Sequence, residues 1–221
     1  MSLPTLQARW NRLSPEQRLH QRPYPIVALA GGIGSGKSTL SRFFINKNVP
    51  LISADVLVKT IYSQPETRTW LAEHYPDVIN PDNGTPNFRR LREKAFSDEV
   101  VRKQLESWIY PRLPAAFEVA EVPFKPVPWL VYEIPLLYER KMESLFDLVV
   151  FSYVPRETQL SRVVGRDGTS KEIVESILNQ QLPIDEKRAK ADLVFDNSVV
   201  RTEAEIMLAM ESIWREMVDH H

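Results

Sequence analysis

Gly31-Gly32-Ile33-Gly34-Ser35-Gly36-Lys37-Ser38 place together the groups that hold a polyphosphate. The glycines let the backbone turn tightly and aim successive N–H groups inward, forming a nest for anionic oxygens. Lys37 adds a compact positive charge that reaches the β- and γ-phosphates. The Ser38 hydroxyl can ligate Mg²⁺, and a helix starting here points its positive end at the phosphates. Gly32, Ile33, Gly34, Ser35, Gly36, Lys37, Ser38 and Thr39 are therefore the candidate nucleotide-binding residues.

The flanking residues supply the elements such a loop requires. Ile26 to Ala30 is an unbroken apolar run, as expected of a strand buried on both faces. Downstream, Leu40, Phe43 and Phe44 have helical spacing. A phosphate cradle specifies ATP or GTP, not the reaction. The guanine-reading N-K-x-D and switch D-x-x-G motifs are missing, so a GTPase switch is not expected. A small-molecule kinase needs a carboxylate near the acceptor hydroxyl and cations around the transferring phosphoryl group. Asp55 is the candidate carboxylate, because it follows the short strand Val49-Pro50-Leu51-Ile52. It would either accept the hydroxyl proton or orient the hydroxyl. Arg162 and Arg166, four residues apart, share one helix face, which is either a phosphate clamp on a lid or a solvated charged surface. Glu133, inside an apolar strand, either orients Mg²⁺ through water or is a satisfied buried acid.

The chain has 221 residues, enough for one substantial core with a smaller lobe. Its 28 basic and 29 acidic side chains create no global field for nucleic acid or an anionic membrane. No apolar run approaches the roughly 18 residues that span a bilayer. Residues 4–22 are mostly polar and basic, unlike a signal peptide. Cysteine is absent, which excludes disulfides and thiolate metal sites and fits a cytoplasmic enzyme. The histidines are His20, His74, His220 and His221, so a histidine-rich metal site is not expected. The terminal pair could equally be a purification-tag remnant.

Residues 1–24 read as an appendage to a domain spanning 25–221. Within the appendage, Ser14-Pro15-Glu16-Gln17 has the pattern of a helix start, and Leu6, Trp10 and Leu13 could form a short apolar stripe. The expectation is a surface helix packed loosely, or an arm that binds a partner. Residues 56–122 are helical and charged, with a turn at Asn80 to Gly84 and breaks at Pro111 and Pro114. Trp129 to Ile134, Leu148 to Tyr153 and Leu193 to Asp196 read as buried strands. Arg156 to Arg166 is helical, and the next helix opens with the capping box Thr169-Ser170-Lys171-Glu172. Thr202-Glu203-Ala204-Glu205 caps a last helix with Ile206, Met210, Ile213, Trp214 and Met217 on its apolar face. Alternating strands and helices predict an α/β fold, a parallel sheet covered on both faces, with ligands beyond the strand C-termini.

Taken in order, these segments resemble the dephospho-CoA kinase family. Ala30 through Thr39 is similar to its phosphate loop, and Ser53-Ala54-Asp55 to its Asp-Ala-Asp. Arg89, Leu91 and Arg92 through Phe96 resemble its Arg-x-x-Leu segment, and Ile134 through Glu139 its Pro-Leu-Leu-Phe-Glu stretch. Gln159-Leu160, Arg162, Arg166 and Asp167 match its lid-helix pattern. Gln181, Glu186-Lys187 and Ala191 through Asn197 fit its closing segment.

The resemblance implies a three-layer P-loop NTPase fold with a central parallel sheet, a helical substrate lobe at about 56–122 and a lid at about 156–190. It implies ATP, with Mg²⁺, phosphorylating the ribose 3′-hydroxyl of dephospho-CoA. By matched position, Asp55 is the acceptor-side carboxylate, Arg89 and Tyr110 belong to the substrate lobe, and Arg162 and Arg166 to the lid. Lys37 and Ser38 serve the phosphates and Mg²⁺, and Asn197 lies near the ATP base. A monomer or small homo-oligomer is the expectation. Ser53, Lys59, Tyr110, Glu133 and Ser198 depart from the family's usual residues. They keep open a kinase for another small alcohol, such as a nucleoside, or a regulatory ATP-binding module.

Overall fold

The apolar runs at Ile26 and Leu148 become the central strands of a five-stranded sheet. A computed structural model describes residues 3–168, 170–199 and 201–219, so Thr169, His220 and His221 lie outside it, as does the side chain of Phe96. The strands are β1 (Ile26–Gly31), β2 (Leu51–Ser53), β3 (Leu130–Glu133), β4 (Leu148–Tyr153) and β5 (Leu193–Asp196), ordered β2-β3-β1-β4-β5. The β1–β3, β1–β4 and β4–β5 ladders are parallel. Every residue of β1 and β4 is buried. That is why these strands lack polar alternation.

The chain divides into two units, one of Met1–Leu51 and Pro126–His221, the other of Ile52–Lys125. In the first, α1 (Lys37–Asn46) follows β1. The second holds α2 (Ala54–Ser63), α3 (Pro65–His74), α4 (Phe88–Ser97), α5 (Glu99–Ile109) and α6 (Leu113–Glu121). The first resumes with α7 (Arg156–Asp167), α8 (Lys171–Asn179), α9 (Ile184–Lys190) and α10 (Glu203–Met217). Among the described residues, no helix is long and apolar enough to cross a membrane.

Local chemistry sets the boundaries. Thr202 and Glu205 form the expected capping box, with Thr202 N donating to Glu205 Oε2 at 2.7 Å. The predicted face of α10 is buried, joining Leu40, Phe43 and Phe44 of α1 in one core. At α8 the outcome differs from expectation: Ser170 is the N-cap residue, and its side chain makes no capping hydrogen bond. Pro111 and Pro114 act as expected, because neither can donate the N–H a continuous helix needs. Helix α5 ends at Ile109, a short 3₁₀ turn spans Tyr110–Arg112, and α6 begins at Leu113. The second unit has its own core of Leu71, Tyr75, Val78, Leu91 and Leu105. Beside it Trp70 stacks on Trp108 at 4.6 Å, with the Arg112 guanidinium 3.7 Å from the Trp108 ring centre.

The N-terminal segment is neither a helix nor loosely packed. It contains short 3₁₀ turns at Ala8–Trp10, Pro15–Gln17 and Leu19–Gln21, and buries Leu6 in the main core. Leu6 bridges Val218 antiparallel, Trp10 Nε1 donates to the Glu216 carbonyl at 2.7 Å, and Trp129 Nε1 donates to the Pro4 carbonyl at 2.8 Å. The anchor is Asp147, fully buried just before β4. Its Oδ1 accepts the N–H groups of Arg12 and Leu13, both at 3.1 Å. Its Oδ2 accepts the Ile26 N–H at 3.0 Å and Arg18 Nε at 2.9 Å. Arg12 also reaches Asp192 through two bonds of 3.0 Å, joining the segment to the residue before β5. Leu6 and Trp10 of the expected stripe do pack on the main core, but from a segment of 3₁₀ turns rather than a helix, because these hydrogen bonds dictate the path.

Removing Asp147 would leave a buried guanidinium and three backbone donors without their acceptor. Asp147→Ala is expected to cost about 3–5 kcal/mol, read as a lower urea midpoint at unchanged slope. An unchanged midpoint would contradict the anchoring role.

Candidate active site

The C-terminal end of β1 runs directly into the glycine loop, and sterics explain its composition. A Cβ on Gly31 would lie 2.6 Å from Ser35 Oγ and 3.0 Å from Ser152 Cβ, its partner across the ladder in β4. A Cβ on Gly32 would lie 2.1 Å from Gln159 Nε2, and one on Gly36 would lie 2.4 Å from Asn197 Nδ2. Gly36 also has φ of +86°, a left-handed conformation that glycine adopts without penalty, and it caps α1. The backbone therefore needs glycine both to turn and to admit polar side chains from three other elements.

Lys37 and Ser38 begin α1, so their N–H groups belong to its unsatisfied first turn. Among the described residues, the N–H groups of Gly34, Gly36, Lys37 and Ser38 have no acceptor. Unpaired donors at and just before a helix N-terminus are the groups that suit an anion. The Lys37 ammonium lies 3.1 Å from Glu133 Oε1, and Glu133 Oε2 accepts the Ser41 hydroxyl at 3.0 Å. Glu133 is therefore paired with the loop lysine in this structure. Ser38 is exposed.

Helix α7 lies against the same loop. Gln159 is buried, and its Nε2 donates to the Ile33 carbonyl at 2.8 Å. Arg162 donates to the Asn197 carbonyl at 3.0 Å and lies 3.5 Å from the Gly34 carbonyl. Arg166, four residues on, instead pairs with Asp167 at 2.6 Å, an interaction that raises its pKa. The two arginines share a helix, but only Arg162 is at the loop. Asn197, just beyond β5, donates from Nδ2 to the Ser35 carbonyl at 2.9 Å. Nearby, the Tyr153 hydroxyl donates to Asp185 at 2.8 Å, which raises its pKa. Lys187 of α9 is buried and ion-paired with Glu139, and it donates to Gln181 Oε1 at 3.2 Å.

The remaining candidates belong to the second unit. Asp55 is exposed in the first turn of α2, two residues after β2, where a negative charge complements the helix dipole. Arg89 is exposed on α4 and pairs with Glu93 at 2.9 Å. Tyr110 is exposed at the start of its 3₁₀ turn.

Sequence reasoning gave no role to Ser152 or Gln159. A hydroxyl in an otherwise apolar buried strand, and an amide on the same α7 face as buried Val163, are the signals that mark them.

The family model for dephospho-CoA kinase matches residues 25–203, from the residue before β1 to the first turn of α10. The chain is 34% identical over 177 residues to a dephospho-CoA kinase of Oryza sativa subsp. japonica, covering 78% of this chain and 76% of that one. It is similar to a crystal structure of a Thermus thermophilus protein, with TM-score 0.73 and 28% identity, over 87% of this chain and 98% of that one. A dephospho-CoA kinase from Campylobacter jejuni shares the fold, with TM-score 0.60 and 24% identity, over 86% and 96% of the two chains. The glycine loop, its lysine and the segment closing on Asn197 thus lie within one matched stretch, and the chain belongs to the dephospho-CoA kinase family.

Proposed function

We propose that the site built on Lys37 transfers the γ-phosphoryl group of ATP to the ribose 3′-hydroxyl of dephospho-CoA, giving coenzyme A and ADP. The observation that carries this reading is the family match over residues 25–203, which contains the free N–H groups of the cradle. In the reaction the acceptor oxygen bonds to the γ-phosphorus as the bond to the β–γ bridging oxygen breaks. ADP leaves with that electron pair. The transition state is loose, so the protein contributes mainly position and charge.

Each side chain has a role in that frame. The N–H groups of Gly34, Gly36, Lys37 and Ser38 hold β- and γ-phosphate oxygens, and Lys37 shares its ammonium between Glu133 and the phosphates. Arg162, and Arg166 once turned from Asp167, add guanidinium charge around the transferring group. Asp55 receives the acceptor hydroxyl and either takes its proton or fixes its direction. Arg89 and Tyr110 of the second unit contribute to acceptor binding. The described residues contain no cluster of three or more His, Cys, Asp or Glu to hold a metal alone. The donors present suit a Mg²⁺ that enters with the nucleotide, held by phosphate oxygens and the Ser38 hydroxyl, with Glu133 nearby for its water. When bound, Mg²⁺ neutralises charge on the β- and γ-oxygens. A cytoplasmic setting suits a reaction that draws on ATP.

ADP release with Mg-ATP and a panel of dephospho-CoA, nucleosides and nucleoside monophosphates tests acceptor choice. Turnover with dephospho-CoA is expected; turnover with a nucleoside alone would overturn the assignment. Asp55→Asn should leave ATP affinity within about twofold while lowering transfer by roughly 10²-fold, the scale of general acid–base contributions. Full activity across pH in that variant would remove Asp55 from the essential role.

A further inference from the structure

A backbone can aim N–H groups at an anion only if the alternating carbonyls are turned the other way and given donors there. Each carbonyl from Gly32 to Gly36 has one. The Gly32 carbonyl accepts the Ser35 N–H at 3.2 Å, and the Gly36 carbonyl accepts the Thr39 N–H at 3.0 Å. Between them, Ile33 is held by Gln159 Nε2 at 2.8 Å and Gly34 by Arg162 at 3.5 Å. The Ser35 carbonyl takes two donors, Ser152 Oγ at 2.8 Å and Asn197 Nδ2 at 2.9 Å.

We infer that Gln159, Ser152 and Asn197 are positioning residues that preorganise the phosphate cradle from behind, and that Asn197 acts on the loop rather than on the nucleotide base. This rests on the reading that the cradle holds ATP. It departs from the role that the family resemblance implies for Asn197. Three observations carry it. All three side chains are buried, with Gln159 2% and Asn197 3% exposed, so their donors are committed to the loop. The direction of the Asn197 amide is fixed by chemistry, since the flipped form would set Oδ1 against the Ser35 carbonyl, acceptor against acceptor. Its Oδ1 is buried without a partner, a cost that burial of an amide ordinarily avoids. Retaining the amide there is understandable if Nδ2 is needed where it sits. The glycines complete the device. A side chain at residue 32 or 36 would occupy the space of Gln159 Nε2 or Asn197 Nδ2, respectively. The loop's glycine spacing and its outer donors therefore depend on each other.

The test measures equilibrium binding of ATP, inorganic tripolyphosphate and adenosine to the full chain, with no acceptor present. It compares Gln159→Met, Ser152→Ala, Asn197→Ala and the Ser152→Ala/Asn197→Ala pair. Each single variant should weaken ATP and tripolyphosphate by the same factor, roughly 3- to 10-fold for one lost hydrogen bond, and leave adenosine unchanged. The pair strips the Ser35 carbonyl of both donors and should exceed the product of the singles. Asn197→Asp, which keeps the shape and reverses the donor, should weaken tripolyphosphate at least as much as Asn197→Ala. Loss of ATP and adenosine binding by Asn197→Ala, with tripolyphosphate untouched, would assign the residue to the base and overturn the inference. Unchanged binding of all three ligands in Gln159→Met and Asn197→Ala would overturn it as well. An unsubstituted chain that binds ATP but not tripolyphosphate would remove the cradle reading itself.

Discussion

The structure depends on one backbone constraint: a loop that presents N–H groups to phosphate must turn its carbonyls away and satisfy them elsewhere. That requirement reaches well beyond the glycines. It places a serine in the apolar strand β4, an amide on the buried face of α7 and an asparagine beyond β5. The parallel sheet makes this economical. Its strands end together, so β1 delivers the loop while β4 and β5 deliver two of the groups that brace it.

The opposite end of the sheet has a different task. There Asp147 gathers backbone donors from residues 12, 13 and 26 and the guanidinium of Arg18. A buried carboxylate is tolerable because both oxygens are saturated, and removing one partner would leave the others exposed to that cost. The N-terminal segment is thereby part of the main unit, packed on the end of α10 by the Leu6–Val218 bridge. One end of the sheet is thus committed to anchoring the chain, and the unpaired N–H groups lie at the other, in the glycine loop.

Much of this was legible in the residues. The strand–loop–helix around Lys37 followed from an apolar run, a glycine spacing and a helical stripe, and α10 followed from a capping box and a period of about 3.6 residues. These signals are local, so a single sequence carries them. What escaped was long-range. Asp147 reads as a loop acid between an aromatic residue and a strand, and nothing near it announces Arg18 as a partner 129 residues away. The N-terminal path was misread because 3₁₀ turns held by a remote carboxylate leave no periodic signature. Gln159 stood in a recognised pattern without a role, since its partner is a carbonyl and carbonyls are invisible in sequence. Glu133 was left between two readings, and its ion pair with Lys37, 96 residues earlier in the chain, is a contact that no local spacing announces. Arg166 illustrates the limit of spacing: it shares a face with Arg162, yet a neighbouring aspartate holds it in solvent.

Peptide N–H groups of the loop, together with Lys37, are proposed to bind the nucleotide's phosphates. Amide-resolved ¹H–¹⁵N correlation spectra during titration with Mg-ATP would reveal this contact residue by residue. The largest amide-proton displacements are expected at Gly34, Gly36, Lys37 and Ser38, reproduced by inorganic tripolyphosphate. Displacements clustered elsewhere, with these amides unmoved at saturating ATP, would contradict it.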